Sequence, residues 1–457
     1  MSKIEVNTVA PQCGTTLTLG ESGDTVALGS GASQTGFGRT GTVDWQTGSI
    51  KTTTFTAVNG EGYFANTSGG AFTMNLPAGS AGAIVSVADY TNTFQTHNLT
   101  VSPNGSEKIG GVAGDVTLST EGQSVTLVYV DANEGWKNVQ DSTSDVKGAT
   151  YIVGSVSGAC NTLTTVDTNY KLAKFVGPGT FTVCSVGNPS GSTSVDYLVI
   201  AGGGGGGYNP ATPSDRGRGG GGGAGGYRES SGTASGSYTV SPLGSGVSAI
   251  TVSATGYPIT VGAGISSGTP AAAGSPSTFS IITSYGGGRG GVGSNSPDFR
   301  TGTAGGSGGG GGNYAGSAPG GAGNTPPVAP PQGNAGGVGT EGPPAYGGGG
   351  GGGATAVGVA GTTSKGGDGG TGGTSSIDGT PTQRAGGGGG STLDTAPSRG
   401  VGVGGGGNGA AYGCAPSTGG SGTANTGGGG GGAGGPQFGG TGGTGGSGIV
   451  MIRYRFQ

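Results

Sequence analysis

The residues of this chain that could do chemistry are few, and their spacing does not suit catalysis. Acidic side chains in the glycine-rich half stand apart from one another, at Asp215, Glu229, Asp298, Asp368, Asp378 and Asp394. Hydrolysis of a polysaccharide needs two carboxylates that face each other across a cleft. The single histidine, His97, lies in a strand-like stretch with no evident Ser or Cys to activate. We therefore expect that the chain is not an enzyme.

Metal, phosphate and cofactor sites are not expected either. The four cysteines form no C-x-x-C pair, and one histidine is too few for the usual zinc sets. Cys160 and Cys184 could bridge within one small domain, although a reducing site of synthesis disfavours a disulfide. The glycine runs contain no G-x-x-x-x-G-K-[ST] sequence, which a phosphate-binding loop requires.

A second group of residues is typical of binding rather than catalysis. Tyr, Phe and Arg recur in the spacers between glycine runs, and such residues dominate antibody contact loops and interface hot spots. The candidate binding residues are Tyr208, Arg216, Arg218, Tyr227, Arg228, Phe299, Arg300, Tyr314, Tyr346, Arg384, Arg399 and Tyr412. The alternative interpretation is that each aromatic side chain merely caps the end of a glycine segment.

The elements that would position these side chains are glycine runs such as Gly202–Gly207, Gly219–Gly223 and Gly347–Gly353. Glycine makes up 121 of the 457 residues, far above the usual ~7 %. A flexible linker is one interpretation. The recurring runs and varied spacers instead favour a bundle of extended polyglycine II helices, in which neighbouring backbones supply the missing hydrogen-bond partners. A strict Gly-X-Y period is absent, so a collagen triple helix is not expected.

The chain closes with a well-patterned strand, which a linker would not need. Residues 448–456 alternate, which predicts a half-buried strand with Arg453 and Arg455 on the exposed face. The opposite, apolar face would carry Val450, Ile452, Tyr454 and Phe456. We expect this strand to pair with Val195–Ile200, so that the glycine region starts and ends on one small sheet.

The rest of the sequence predicts β-structure and essentially no α-helix. Residues 1–42 contain two short strand-like segments nine residues apart, Gly14–Gly20 and Gly23–Gly29, which are either copies of a stacking β-repeat or two unrelated short strands. Residues 43–142 predict a small β-sandwich, 143–201 a β collar, 202–447 the polyglycine II domain and 448–457 the closing strand. Strands in the sandwich are expected at Lys51–Val58, Gly62–Asn66, Ala71–Leu76, Ala83–Ala88, Asn98–Ser102, Val116–Ser119, Ser124–Val130 and Trp136–Val139.

The charge and hydropathy of the chain argue against some classes of binding partner. The net charge is −4 and the Lys and Arg residues are scattered, which argues against a nucleic-acid or anionic-lipid surface. No apolar run approaches the ~20 residues of a membrane span, so no membrane insertion is expected. The first residues lack the apolar stretch of a secretory signal, which favours synthesis in a cytoplasm.

Taken together, several segments resemble the glycine-rich domain of bacteriophage tail-fibre adhesins. These segments are Val195–Gly207, Tyr257–Gly264, Ser277–Ile281 and Gly445–Tyr454. The middle part resembles small β-domains of marine phage virion proteins, through Phe55–Tyr63, Leu76–Pro77 and Val128–Trp136. The spacer Asn313–Gln332 is longer than in the tidiest members of the family.

The resemblance implies a protein of the virion tail that recognises a host surface glycan or outer-membrane protein. Loops of the polyglycine II bundle would form the contact surface, and the N-terminal part would attach to other tail or baseplate proteins. It also implies a homotrimer, which the small apolar content of the N-terminal repeats favours independently. The alternative is a purely structural fibre without a specific receptor.

Overall fold

The computed structural model describes residues 43–143, 149–188, 190–209, 217–265, 273–314, 316–343, 346–393, 398–411, 417–434 and 440–457. The chain divides into two compact units, Met1–Lys147 and Gly148–Gln457. The repeats predicted in residues 1–42 lie outside the described residues. Each unit has a hydrophobic core of its own.

The described part of the first unit consists of short strands and turns. Each of the eight predicted segments coincides with one strand, and only the first strand was not predicted. The strands are β1 (Asp44–Trp45), β2 (Phe55–Thr56), β3 (Glu61–Ala65), β4 (Phe72–Asn75), β5 (Ile84–Asp89), β6 (Leu99–Ser102), β7 (Val116–Leu118), β8 (Ser124–Tyr129) and β9 (Trp136–Ser142).

These strands form two sheets, in the orders β1-β3-β5-β8-β9 and β2-β4-β6-β7. From β1 to β6 the chain alternates between the sheets, and neighbours within a sheet run parallel. The later strands β7, β8 and β9 pair antiparallel. The expected sandwich therefore has its two sheets, but its first half is parallel, unlike common antiparallel sandwiches. The reason is that each strand crosses to the other sheet before the next returns.

The core of this unit lies between the two sheets. Val85 and Val87 on one sheet share a cluster of buried side chains with Met74 and Leu99 on the other. Trp136 is fully buried in the same cluster. Strands β8 and β9, on either side of Asn133, form an antiparallel ladder.

The second unit contains the remaining strands and, among its described residues, one helical turn, α1 (Pro297–Arg300). The nearly helix-free fold predicted from the sequence is thus confirmed. The strands are β10 (Val153–Val156), β11 (Thr162–Val166), β12 (Tyr170–Phe175), β13 (Gly179–Ser185), β14 (Ser194–Ile200), β15 (Tyr227–Glu229), β16 (Ile250–Thr251), β17 (Gly256–Thr260), β18 (Ser277–Phe279), β19 (Ile282–Ser284), β20 (Gly373–Ser375), β21 (Thr382–Arg384) and β22 (Ile449–Arg455).

Two sheets of this unit pack on each other, in the orders β10-β13-β17-β18-β19 and β11-β12-β22-β14-β15, with β16 added to β14. Phe181 and Phe279 of the first sheet share a core with Tyr197 and Ile452 of the second. The pair β20-β21 forms a separate hairpin. The region predicted as a β collar supplies β10 to β14.

The closing strand β22 lies in the middle of its sheet, between β12 and β14. Its pairing with β14 is antiparallel, from Asp196↔Arg453 to Ile200↔Ile449, which confirms the predicted partner. The predicted half-burial is wrong. Met451 packs in a second apolar cluster on the opposite face, and Arg453 is only 2 % exposed.

The glycine runs hydrogen-bond to one another with a period of three. Along residues 219–225, the N–H groups at 219, 222 and 225 donate to the segment 427–433. Those at 220 and 223 donate to 288–291, and those at 221 and 224 donate to 349–352. This is the pattern of a polyglycine II helix, which has three residues per turn and no internal hydrogen bonds.

The carbonyl groups of the same run accept hydrogen bonds from three other segments. The donors lie in residues 204–207, 307–310 and 388–391. Residues 219–225 are thus surrounded by six neighbours, and the run at 347–353 bonds to six segments in the same way. We call this array the glycine lattice. It confirms the predicted bundle, in which the neighbours satisfy every backbone group that the helix leaves open.

Close backbone approach explains why the lattice is made of glycine. A Cβ atom added to Gly221 would lie 2.0 Å from the carbonyl oxygen of Gly388. One added to Gly350 would lie 1.9 Å from that of Asp368. Real Cβ atoms do not come so near to oxygen, so the helices would have to move apart. The lattice is a core made of backbone rather than of side chains.

Candidate binding surface

The glycine lattice has two ends, which we name by their distance from the sheet. At the sheet end, β14 runs into Gly202–Gly207 and β15 follows residues 217–226. At the far end, the same segments are joined beyond Tyr208. The described residues that border the connections at this end are 209 and 217, 293 and 302, 314 and 316, 343 and 346, 362 and 366, 393 and 398, 411 and 417, and 434 and 440.

Hydrogen bonds between residues that border these connections show that the ends of the lattice segments lie side by side. The N–H of Gly293 donates to the carbonyl of Tyr208, and the N–H of Asn209 to that of Gly440. Arg218 and Asn313 exchange a pair of backbone bonds. Segments far apart in sequence therefore meet at one surface.

The structure divides the sequence-predicted candidates between the two ends. Arg216 and Tyr412 lie outside the described residues. Tyr227, Arg228 and Arg384 lie at the sheet end, in or beside β15 and β21. The remaining candidates are brought together at the far end: Tyr208, Arg218, Phe299, Arg300, Tyr314, Tyr346 and Arg399.

Exposure separates the far-end candidates into contacting and supporting residues. Phe299 is 48 % exposed, and Arg399 is exposed as well. Tyr208, Tyr314 and Tyr346 are half-buried. These five side chains reach the surface, so a partner molecule can touch them.

Arg218 and Arg300 are buried and act inside the structure instead. The Arg218 side chain is 0 % exposed, and its Nη1 donates to the carbonyl of Gly217 at 2.7 Å. Arg300 Nη1 donates to the carbonyl of Gly316 at 3.1 Å. Both arginines therefore hold the loops from within, which corrects their assignment as contact residues. Their charge could not reveal this, because Arg is mostly exposed in proteins.

The buried Arg289 beneath the same surface was not predicted. Its Nη1 donates to the carbonyls of Gly290 and Phe299, each at 3.3 Å. Burial lowers the pKa of the Arg289 guanidinium from its usual value. The second of these bonds fixes the backbone of the helical turn that carries the exposed Phe299 ring.

Asn313 is a further far-end residue that sequence reasoning missed. It is fully buried, and its amide Nδ2 donates to the carbonyls of Thr340 at 3.1 Å and Tyr346 at 2.7 Å. One side chain thus ties Thr340 and Tyr346 to the run that ends at Gly312. A signal was present in the sequence, because Asn313 directly follows the run Gly308–Gly312 and Asn209 occupies a similar place after Gly202–Gly207.

The sheet-end candidates form a buried polar cluster. The Tyr227 hydroxyl donates to Glu229 Oε2 at 2.9 Å, and the backbone N–H of Ser241 donates to the same oxygen at 2.9 Å. Burial raises the pKa values of both Glu229 and Tyr227. Arg384 is 7 % exposed and pairs with Asp378 at 2.6 Å. These contacts make Tyr227 and Arg384 structural residues of the lattice base, which corrects their assignment to receptor contact.

Arg228 is half-buried, and its Nη2 donates to the carbonyl of Ala329 at 3.4 Å. Its position in β15 separates it from the far-end surface. Among the described residues, no group of three or more His, Cys, Asp or Glu side chains is placed to hold a metal ion. Cys160 and Cys184 are exposed free thiols. No helix in the described ranges is long and apolar enough to cross a membrane.

Comparison with known proteins bears on the second unit. The family model of the glycine-rich domain matches residues 176–455, which run from the end of β12 to the end of β22. No curated protein is significantly similar to the chain. The matched residues include the whole glycine lattice and make up more than half of the sequence. The chain therefore belongs to the glycine-rich domain family.

Proposed function

We propose that this protein is a bacteriophage tail-fibre component that recognises a receptor on the host cell surface. The far end of the glycine lattice would contact the receptor, which would be a surface glycan or an outer-membrane protein. The N-terminal part would join the chain to other tail or baseplate proteins. The protein would be made in the host cytoplasm and would work in the virion tail, without catalysing a reaction.

One observation carries this proposal. The lattice segments end together at one surface, the sequences that connect them there differ, and five described side chains reach that surface: Tyr208, Phe299, Tyr314, Tyr346 and Arg399. Rigid scaffolds that present variable loops are typical of recognition proteins.

The alternative is a purely structural fibre without a receptor. Such a protein would need turns only to reverse the chain, and nothing would favour Phe299 in an exposed position. The varied spacer sequences support the binding proposal over this alternative.

The test is strain-selective binding of the fluorescently labelled full chain to a panel of bacterial cells. We expect binding to some strains only. Phe299→Ala and Arg399→Ala together should reduce it about tenfold or more, because exposed aromatic and Arg side chains supply most hot-spot energy. The matched control is Ile281→Ala, since Ile281 is 86 % exposed in the β18–β19 turn beside the sheet.

Equal loss of binding in the control and the double variant would place recognition elsewhere on the chain. Binding of the folded protein to no strain that the source phage infects would favour the purely structural fibre. We also propose that the protein is a homotrimer. A monomer mass in sedimentation at working concentration would refute this.

A further inference from the structure

The first unit contains a cavity that the proposed receptor surface does not use. It has a volume of about 240 Å³ and opens on the outer face of the β1-β3-β5-β8-β9 sheet. Its lining includes Trp45 on one edge strand, Ser86 and Thr126 in the middle, and Gln140 and Ser142 on the other edge strand. Drug-sized ligands usually occupy ~300–1,000 Å³, so the occupant of this cavity is smaller.

The strand register explains how these residues come together. Trp45 pairs with Gly62, Gly62 with Ser86, Ser86 with Thr126, and Thr126 with Gln140. Paired residues on neighbouring strands project from the same face. One row across all five strands therefore has an aromatic ring at one edge, an amide at the other, and small side chains between them.

Gly62 allows the Trp45 ring to lie down on the sheet. A Cβ atom at Gly62 would be 2.8 Å from the indole Cδ2 and 2.6 Å from Cγ2 of Val43. The indole also packs on Phe64, with ring centroids 5.0 Å apart. It is nevertheless 39 % exposed. The ring is thus fixed from below and open to a ligand from the cavity side.

The floor of the cavity offers hydroxyl groups rather than charges. Ser86 Oγ and Thr126 Oγ1 are hydrogen-bonded to each other at 2.8 Å, and each keeps further capacity to donate or accept. The lining contains no Lys or Arg, and its single formal charge is that of Asp141. A phosphate or other anion would find no positive charge here, and its desolvation would be uncompensated.

We propose that this cavity is a binding site for one ring of a neutral saccharide. A pyranose has an apolar face of C–H groups that packs on an indole, and a rim of hydroxyls that exchange hydrogen bonds with Ser, Thr and Gln. Those are the groups that the row from Trp45 to Gln140 presents together. The site lies in the first unit and does not rest on the proposed function of the far-end surface.

The chain provides its own reporter for this site. It contains two tryptophans, of which Trp136 is 0 % exposed and Trp45 is 39 % exposed. Quenching of fluorescence by acrylamide therefore reports mainly on Trp45. We expect methyl glycosides of glucose, galactose, mannose or N-acetylglucosamine to protect the full chain from quenching at millimolar concentration, whereas inorganic phosphate should not.

Variants test whether the glycosides bind in the cavity. Saturation-transfer NMR of the bound glycoside follows binding when the reporter itself is changed. Trp45→Ala should weaken binding about tenfold or more, as for other aromatic anchors. Thr126→Val removes a hydroxyl with little change of shape and should also weaken binding. The matched control is Tyr90→Ala, because Tyr90 is 54 % exposed in the same unit and does not line the cavity.

Three results would overturn the proposal. The first is that none of the four glycosides binds, and the second is that Trp45→Ala and Tyr90→Ala bind them equally well. The third is that Trp45 is already shielded from acrylamide without sugar. Shielding that grows with protein concentration would mean that a second copy of the chain covers the cavity, and shielding at every concentration would mean that the chain covers it itself.

Discussion

Single glycines of the lattice are positions where even a methyl group meets backbone. Gly350→Ala would bring Cβ to 1.9 Å from the Asp368 carbonyl oxygen, and overpacking of this kind costs about 1–3 kcal/mol or more. We expect a lower melting temperature for the second unit. At Gly177 the nearest atom would be 3.9 Å away, so Gly177→Ala is the control and should melt like the parent. Equal melting of both variants would contradict a close-packed lattice and favour a flexible linker.

Because of the carboxyl group of Glu229, we expect the free energy of unfolding of the second unit to depend on pH. Burial raises its folded-state pKa above the ordinary value of 4.5, so the folded state holds this proton more tightly than the unfolded state does. The resulting stabilisation is complete below pH 4.5 and is lost as the pH rises through the folded-state pKa. Glu229→Gln cannot titrate. We therefore expect the free energy of unfolding of the parent to fall relative to that of Glu229→Gln between pH 4 and neutrality. Denaturant curves at several pH values measure this, and a constant difference would refute it.

At the scale of elements, the closing strand β22 connects the glycine lattice to ordinary apolar packing. Ile452 is 0 % exposed among aromatic and aliphatic side chains of two sheets. Truncation of such a residue costs about 2–5 kcal/mol, and because β22 bonds to both β12 and β14 the loss should spread through that sheet. We expect Ile452→Ala to lower stability and to speed amide exchange in β14. Val359→Ala is the control, since Val359 is 53 % exposed on a lattice run. Similar effects of the two variants would show that β22 is not central.

The elements also show how far the sequence could predict the structure. Strands such as β8, and the β14–β22 pair, were found because alternating apolar residues mark a face. The same alternation predicted the wrong environment for Arg453. The face of β22 that the sequence predicted to be exposed is covered by segments far away in sequence, and the Arg453 guanidinium donates hydrogen bonds there to the carbonyls of Ser235 and Ile377. The sequence predicted a bundle of polyglycine II helices but not the arrangement of the helices within it. Identical glycines carry no information about which run lies beside which.

The residues of the candidate surface could be predicted from the sequence only in part. Phe299 and Arg399 were chosen by residue type and reach the far end. Arg218 and Arg384 have the same residue type as Arg399 but are buried, where Arg218 donates to the carbonyl of Gly217 and Arg384 pairs with the carboxylate of Asp378. Residue type alone cannot separate these roles. The position of each residue relative to the glycine runs, as for Asn313, carries the missing information.

For the whole molecule, a core of backbone predicts an unusually small heat-capacity change on unfolding. Exposure of apolar surface raises heat capacity by ~0.45 cal/mol/K per Å², whereas exposure of polar surface lowers it by ~0.26. The glycine runs bury peptide groups and little else, and only 30 % of the residues are hydrophobic. We expect calorimetry of the full chain to give a change per residue below the usual ~12–15 cal/mol/K.

The two units allow this prediction to be controlled within one protein. Met74→Ala removes a buried side chain from the core of the first unit, and Ile452→Ala removes one from the second. Each substitution should lower the melting temperature of its own unit, which shows which calorimetric transition belongs to which unit. The heat-capacity deficit should belong to the transition that Ile452→Ala shifts, because the glycine lattice lies in that unit. An ordinary value for that transition would mean that its unfolding exposes as much apolar surface as that of a side-chain core, which a lattice of peptide groups cannot supply.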